Sequence, residues 1–137
     1  AHRGLSQLGP ASRRACMGAL LTAGTTMLEP MLAIEVRVPT DLVGNVATVL
    51  SGKRGKVLDM QQKGASSIIV GEIPASETFT LSEAMRGQTA GRATWNTSFK
   101  AWTELPKSIA ATAIAEIRKR KGLAPTPPGI EEYIDRE

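Results

Sequence analysis

Residues 31–39 alternate in character without a break. In Met31-Leu32-Ala33-Ile34-Glu35-Val36-Arg37-Val38-Pro39, the residues Leu32, Ile34, Val36 and Val38 fall to one side, and Ala33, Glu35 and Arg37 to the other. A period of two is that of a strand with one buried face. Pro39-Thr40-Asp41 then reads as a helix start, with Thr40 as cap and Asp41 at the positive end of the helix dipole. Leu42, Val43, Val46, Val49 and Leu50 form the apolar stripe of that helix. Its valines lower intrinsic propensity, so packing must hold it. Ser51-Gly52-Lys53-Arg54-Gly55 ends it, with cations at the negative end of the dipole.

The pattern then returns to strands. Residues 56–61 carry Val57, Leu58 and Met60, and Gln62-Lys63-Gly64-Ala65 reads as a hairpin turn. Residues 66–73 include Ile68-Ile69-Val70, apolar on both sides, which predicts a central strand stopped by Pro74. Thr80-Leu81-Ser82-Glu83 has the spacing of a capping box. The helix it opens is expected to run to about Gln88 and to bury Leu81, Ala84 and Met85. After the turn Thr89-Ala90-Gly91-Arg92, residues 93–102 form a last strand, with Ala93, Trp95, Thr97 and Phe99 on one side. The order β-α-β-β-α-β predicts an α+β, ferredoxin-like sandwich: a four-stranded antiparallel sheet with two helices.

The flanks read as attachments. Gly4, Gly9 and Pro10 argue against an early helix, so a helix is expected only from Ala11. In it Ala15, Ala19 and Leu20 share a face, Arg13 and Arg14 look outward, and Gly24 is the stop. This helix is expected either to pack on the main domain or to be the last of a preceding domain, and the missing initiator Met favours the second. Leu28-Glu29-Pro30 is an extended connector. Pro106 begins a C-terminal helix with Ile109, Ala113 and Ile117 on one face and Ile114 beside it. Arg118-Lys119-Arg120-Lys121-Gly122 closes it. Pro125, Pro127 and Pro128 forbid more helix, and the acidic tail is expected to be mobile or to lie over the surface. The expected division is 1–27 and 28–137.

Composition narrows the classes of function. Of 137 residues, 42% are hydrophobic and 22% charged, as in a folded globular chain. Only 4% are aromatic, so the core must be aliphatic. No apolar run approaches a membrane span, no signal peptide is evident, and the single Cys16 excludes an internal disulfide. A cytoplasmic setting is expected. A net charge of +4 and a pI near 9.6 allow an acidic partner such as RNA.

Catalytic material is scarce, with one His, one Cys and one Tyr. A nucleophile–histidine pair would have to use His2, near a free end. No metal-ligand spacing of the CxxC or HExxH kind occurs, and no P-loop. Lys53 and Arg54 read either as a solvated turn or as a contact to a phosphate backbone. Trp95, Phe99 and Trp102 read as core or edge packing, not as the stacking platform of an RNA-recognition sheet. A free-standing regulatory module, binding a small ligand or pairing through its sheet, is the competing reading. An acylphosphatase-like enzyme is disfavoured by Pro39 and Asp41 after the first strand, where a phosphate-cradling loop would be needed.

Two stretches resemble a known family. Ala1-His2-Arg3-Gly4-Leu5-Ser6-Gln7-Leu8-Gly9-Pro10-Ala11-Ser12-Arg13-Arg14 resembles a segment of archaeal and eukaryotic elongation factor 2, the ribosomal translocase. From Leu28-Glu29-Pro30 onward the chain resembles the last domain of that family. The matching residues include Arg37-Val38-Pro39, Lys53-Arg54-Gly55, Glu77-Thr78-Phe79, Gly91-Arg92-Ala93 and Arg118-Lys119-Arg120-Lys121-Gly122-Leu123. The resemblance implies that residues 1–27 end a fourth domain and that 28–137 are the fifth. It implies that His2 occupies the position converted to diphthamide, at a tip that enters the decoding site beside tRNA and mRNA. It implies ribosomal RNA near the GTPase-associated centre as partner, with Arg3, Lys53, Arg54 and Arg92 as candidate contacts. GTP and Mg²⁺ would belong to the full-length parent, and this fragment, expected to be monomeric and not itself an enzyme, would hold no cofactor. His2 and the Arg-Lys-Arg-Lys-Gly ending favour an archaeal or eukaryotic source, and the compact tail an archaeal one.

Overall fold

Eight regular elements follow one another in a computed structural model that describes residues 4–134. They are α1 (Leu5–Ala23), β1 (Leu28–Pro39), α2 (Val43–Gly52), β2 (Lys56–Lys63), β3 (Ser66–Pro74), α3 (Leu81–Thr89), β4 (Thr94–Glu104) and α4 (Lys107–Arg120). The chain divides into two units. One is Leu28–Glu104, and the other joins the residues up to Met27 to those from Leu105 on.

The first unit is the expected ferredoxin-like sandwich. Its four strands lie in the order β2-β3-β1-β4, each pair antiparallel. The alternation in β1 does what its period requires: Ile34, Val36 and Val38 are buried and face Gly71, Ile69 and Ser67 of β3 across the ladder. Val46, Val49 and Leu50 of α2 and Leu81 and Met85 of α3 close over that face, with Ile69, Ile73 and Ala93 completing the buried cluster. Leu32, Leu42, Val43, Ala84 and Trp95 pack at its margin.

The core takes no fully buried residue from either edge strand. All of β2 is exposed, including Val57, Leu58 and Met60. Phe99 and Trp102 of β4 are exposed as well, at 58% and 62%, with ring centroids 6.0 Å apart. Of the expected core or edge packing, Trp95 takes the core part, partly buried, and Phe99 and Trp102 pair with each other on the edge strand. Both edges carry an irregularity, at Met31/Leu32 against β4 and at Val57/Asp59 in β2. Such bulges twist an edge away from further pairing. Gly71 lets β2 lie close: a Cβ there would come within 2.5 Å of the Lys56 carbonyl oxygen.

Neither expected helix cap forms. Thr40–Leu42 is a 3₁₀ turn leading into α2, and the Val43 N–H already bonds the Thr40 carbonyl. The Thr40 hydroxyl instead pairs with that of Ser67, 3.1 Å away. Likewise Ala75–Thr80 is a 3₁₀ turn leading into α3, with the Leu81 N–H on the Thr78 carbonyl. A 3₁₀ lead-in supplies carbonyls to the first helical amides, so a side-chain cap has less to satisfy. Thr89 is buried at the other end of α3. Its hydroxyl donates to the Met85 carbonyl (2.7 Å) and accepts from the Ala93 N–H (3.3 Å).

In the second unit α1 begins at Leu5, earlier than expected, and runs through Pro10. The Gly4 carbonyl accepts from the N–H groups of Gln7 and Leu8 at 2.9 and 3.1 Å, so the first turn closes ahead of the proline. Pro10 then removes a single donor near the helix start. No residue of α1 is buried. Gly24, with φ +75°, ends it. At the end of α4, Leu123 N–H bonds the Arg118 carbonyl (2.9 Å) and Gly122 N–H that of Lys119 (3.0 Å). This is the double bond pattern of a Schellman stop, with Gly122 at φ +68°. Ile130–Glu132 forms a 3₁₀ turn, and Tyr133 lies beside Gly18 of α1. Of the two expectations for the tail, lying on the surface describes this part.

Candidate nucleic-acid interface

The site is built at the end of α2. Lys53 N–H bonds the carbonyls of Val49 and Leu50, Arg54 N–H that of Ser51 (3.2 Å), and Gly55 N–H that of Leu50 (2.8 Å). This is again a Schellman stop, but the left-handed position belongs to Arg54, at φ +55°. Glycine usually takes that place because a Cβ costs about 1–2 kcal/mol there. The glycine one residue later serves a different need. A Cβ on Gly55 would come within 2.9 Å of both the Leu50 and Glu72 carbonyl oxygens.

The left-handed turn sends the Arg54 side chain back over the sandwich. Its Nη1 and Nη2 donate to Oε1 and Oε2 of Glu29, each at 2.9 Å. Its Nε donates to Glu77 Oε1 at 3.2 Å, and Nη2 also reaches the Ser76 hydroxyl at 3.2 Å. The side chains are only 29% (Arg54), 12% (Glu29) and 29% (Glu77) exposed. The hydrogen bond to Glu29 holds the Arg54 proton more tightly than usual; desolvation opposes this, and Glu77 adds to it. Bidentate pairing uses the fixed fork of the guanidinium, which a lysine could not reproduce.

Lys53 faces the same turn. Its ammonium donates to the Thr80 hydroxyl at 2.5 Å, and it borders a shallow groove between α2 and α3 that Gly52, Ala84 and Gly87 keep open. Arg92 stands after α3, on a turn where Ala90 (φ +50°) and Gly91 (φ +74°) are both left-handed. It is 54% exposed and 3.6 Å from Asp41, itself 66% exposed. His2 and Arg3 lie outside the described residues.

Lys53 and Arg54 are thus brought together against the turn at 75–80, and Arg92 sits on a separate turn. The sequence shows the cations but not the carboxylates that engage Arg54. The signal is there in another form: Leu28-Glu29-Pro30, Lys53-Arg54-Gly55 and Glu77-Thr78-Phe79 all stand out as motifs, and the fold joins them through one guanidinium. Among the described residues no three His, Cys, Asp or Glu side chains gather as a metal site. No described helix is long and apolar enough to cross a membrane.

Comparison with known proteins agrees with this architecture. Residues 26–113 match the family described as elongation factor G C-terminus. Over 137 residues the chain is 77% identical to elongation factor 2 of Cenarchaeum symbiosum (strain A), covering 100% of this chain and 19% of that protein. It is 44% identical over 134 residues to elongation factor 2 of Staphylothermus marinus, covering 98% of this chain and 18% of that protein. A crystal structure of a Thermus thermophilus protein superposes with a TM-score of 0.63 at 32% identity, covering 66% of this chain and 14% of that one. The chain therefore spans about one fifth of the length of the curated relatives it matches. Since the family match takes in most of the chain, including the whole four-stranded sandwich, this chain belongs to the elongation factor G C-terminus family.

Proposed function

We propose that the chain is part of a translation elongation factor of the elongation factor 2 kind, and that it works as a rigid body contacting ribosomal RNA. The observation that carries this is the 77% identity to an elongation factor 2 along the entire chain. On this reading residues 28–137 are a fifth domain, residues 1–27 end a fourth, and the GTP-dependent movement of tRNA and mRNA belongs to the whole cytoplasmic protein. GTP and Mg²⁺ bind elsewhere in it. His2 is the residue that carries the diphthamide-type modification, and Arg3 accompanies it toward the decoding site.

Lys53 and Arg92 are the proposed phosphate contacts of the sandwich. Both stand on turns between elements, Arg92 exposed and Lys53 partly exposed with its ammonium on the Thr80 hydroxyl, where a backbone can reach them. Arg54 takes a different part. With its guanidinium committed to Glu29, Glu77 and Ser76, it shapes the surface from behind. The test is a titration of the chain into purified ribosomes at several salt concentrations. Binding that weakens linearly in log–log form is expected, because each neutralised phosphate releases counterions. Binding of a fluorescent GTP analogue is expected to be absent. Tight nucleotide binding, or no ribosome affinity even at low salt, overturns the reading.

A further inference from the structure

Phe79 lies outside the buried core: its side chain is 88% exposed, although it belongs to a turn held by four side-chain hydrogen bonds. The Thr78 hydroxyl donates to the Ala75 carbonyl at 2.7 Å. Arg54 reaches Ser76 and Glu77, and Lys53 reaches Thr80, the residue next to Phe79. Arg54 does this from a left-handed backbone conformation, at φ +55°. Strain kept at a non-glycine residue is more readily explained by what it positions than by stability.

We infer that Phe79 is a stacking platform for one unpaired base of RNA, held out by the Arg54 clamp with Lys53 beside it for the phosphate. This deepens the RNA-contacting reading above and rests on it. An aromatic ring on a fixed turn loses little entropy on binding. Stacking of a base on an aromatic side chain is sequence-tolerant and weakens about tenfold or more when the ring is removed. The Lys53 ammonium, bonded to the hydroxyl of the adjacent Thr80, suits a nucleotide, which brings a phosphate with its base. A purely apolar pocket on a protein partner would have no use for it. Phe99 and Trp102 are exposed too, but they lean on one another along a strand edge, and no cation is bonded to a residue next to either ring among the bonds described.

The experiment measures the affinity of the 137-residue chain for purified ribosomes, with Phe79→Trp, Phe79→Leu and Phe79→Ala beside the parent. Because the side chain is exposed, unchanged melting temperatures are expected and serve as the folding control. The expected order is Trp equal to or tighter than Phe, with Leu and Ala both weaker by about tenfold. One ribosomal base that the parent protects from dimethyl sulfate is expected to become reactive with the Ala variant. If Leu binds as well as Phe while Ala is weak, the ring fills a protein pocket and the inference is overturned. If all four bind alike, the inference is overturned and the RNA-contacting reading stands. If the parent does not bind, both are overturned.

Discussion

The guanidinium of Arg54 and the carboxylate of Glu29 meet through two parallel hydrogen bonds, each 2.9 Å long. The pair ties the end of α2 to the start of β1, 25 residues apart in the chain. Two opposed effects meet at position 54. The clamp stabilises the fold, and the left-handed backbone works against it.

Those effects can be separated. Arg54→Ala removes the clamp and keeps the strained backbone, and is expected to cost about 1–3 kcal/mol in urea unfolding. Arg54→Gly removes both, and is expected to be about 1 kcal/mol more stable than the Ala variant. Equal stabilities for the two variants would show that the strain is not felt. Arg54→Lys is expected to fall close to Ala, since an ammonium cannot make the fork. The pH dependence follows from the raised Arg54 pKa. A cation stabilised in the folded state contributes fully below its unfolded pKa and loses that contribution only as pH rises through the higher folded value. The Arg54→Ala deficit should therefore be flat from about pH 6 to about pH 9 and shrink only in strong alkali.

What could be read in advance followed from local pattern. The alternation of β1 was legible because one face of it is buried and the other is not. Edge position was not legible: Val57, Leu58 and Met60 look like core residues, yet β2 is exposed along its whole length. Nothing in a strand's own residues says how far two helices extend over the sheet. The caps failed for a related reason. Thr40 and Thr80 have the right spacing, but each hydroxyl finds a tertiary partner 27 residues away. At the candidate site the cations were visible as a run, whereas Glu29 and Glu77 are distant in sequence and only folding brings them to Arg54.

The approach of β2 to β3 should be intolerant of a single methyl group. A Cβ at position 71 would come within 2.5 Å of the Lys56 carbonyl oxygen, with Ile34 Cγ2 3.6 Å away on the core side. Backbone must move, because neither flexible side chain nor empty space is available to absorb the clash. Gly71→Ala is expected to cost about 1–3 kcal/mol and to speed hydrogen exchange of the β2 amides most. Exchange unchanged in β2 would mean that the strand accommodates the methyl without separating.

The turn after α3 offers a change in the opposite direction. Ala90 sits at φ +50°, and a neighbouring hydrogen bond from Arg92 N–H to the Thr89 carbonyl (3.0 Å) keeps the turn closed. Ala90→Gly is expected to stabilise the chain by up to about 1 kcal/mol, because the left-handed position no longer carries a Cβ. Part of the gain is lost to the greater freedom of glycine in the unfolded chain. A rise of a few degrees in melting temperature checks it, and a fall would show that the Ala90 methyl makes a contact worth more than its strain.

Arg92 and Asp41 test whether the surface charge has a partner. Their atoms are 3.6 Å apart and both side chains are more than half exposed, so the pair contributes only about 0–1 kcal/mol to stability. Arg92→Ala should therefore leave the melting temperature nearly unchanged. If Arg92 meets a phosphate of ribosomal RNA, the same variant should lower the salt slope of ribosome binding by just under about one. Asp41→Asn frees the guanidinium from its competitor and should tighten binding. Arg37, 68% exposed on the opposite face of the sheet from the helices and 3.5 Å from Glu35, is the matched control. Arg37→Ala should leave the slope as it is. A slope that changes equally for Arg37 and Arg92 would reduce the effect to net charge, because a positioned contact must depend on where the lost cation stood.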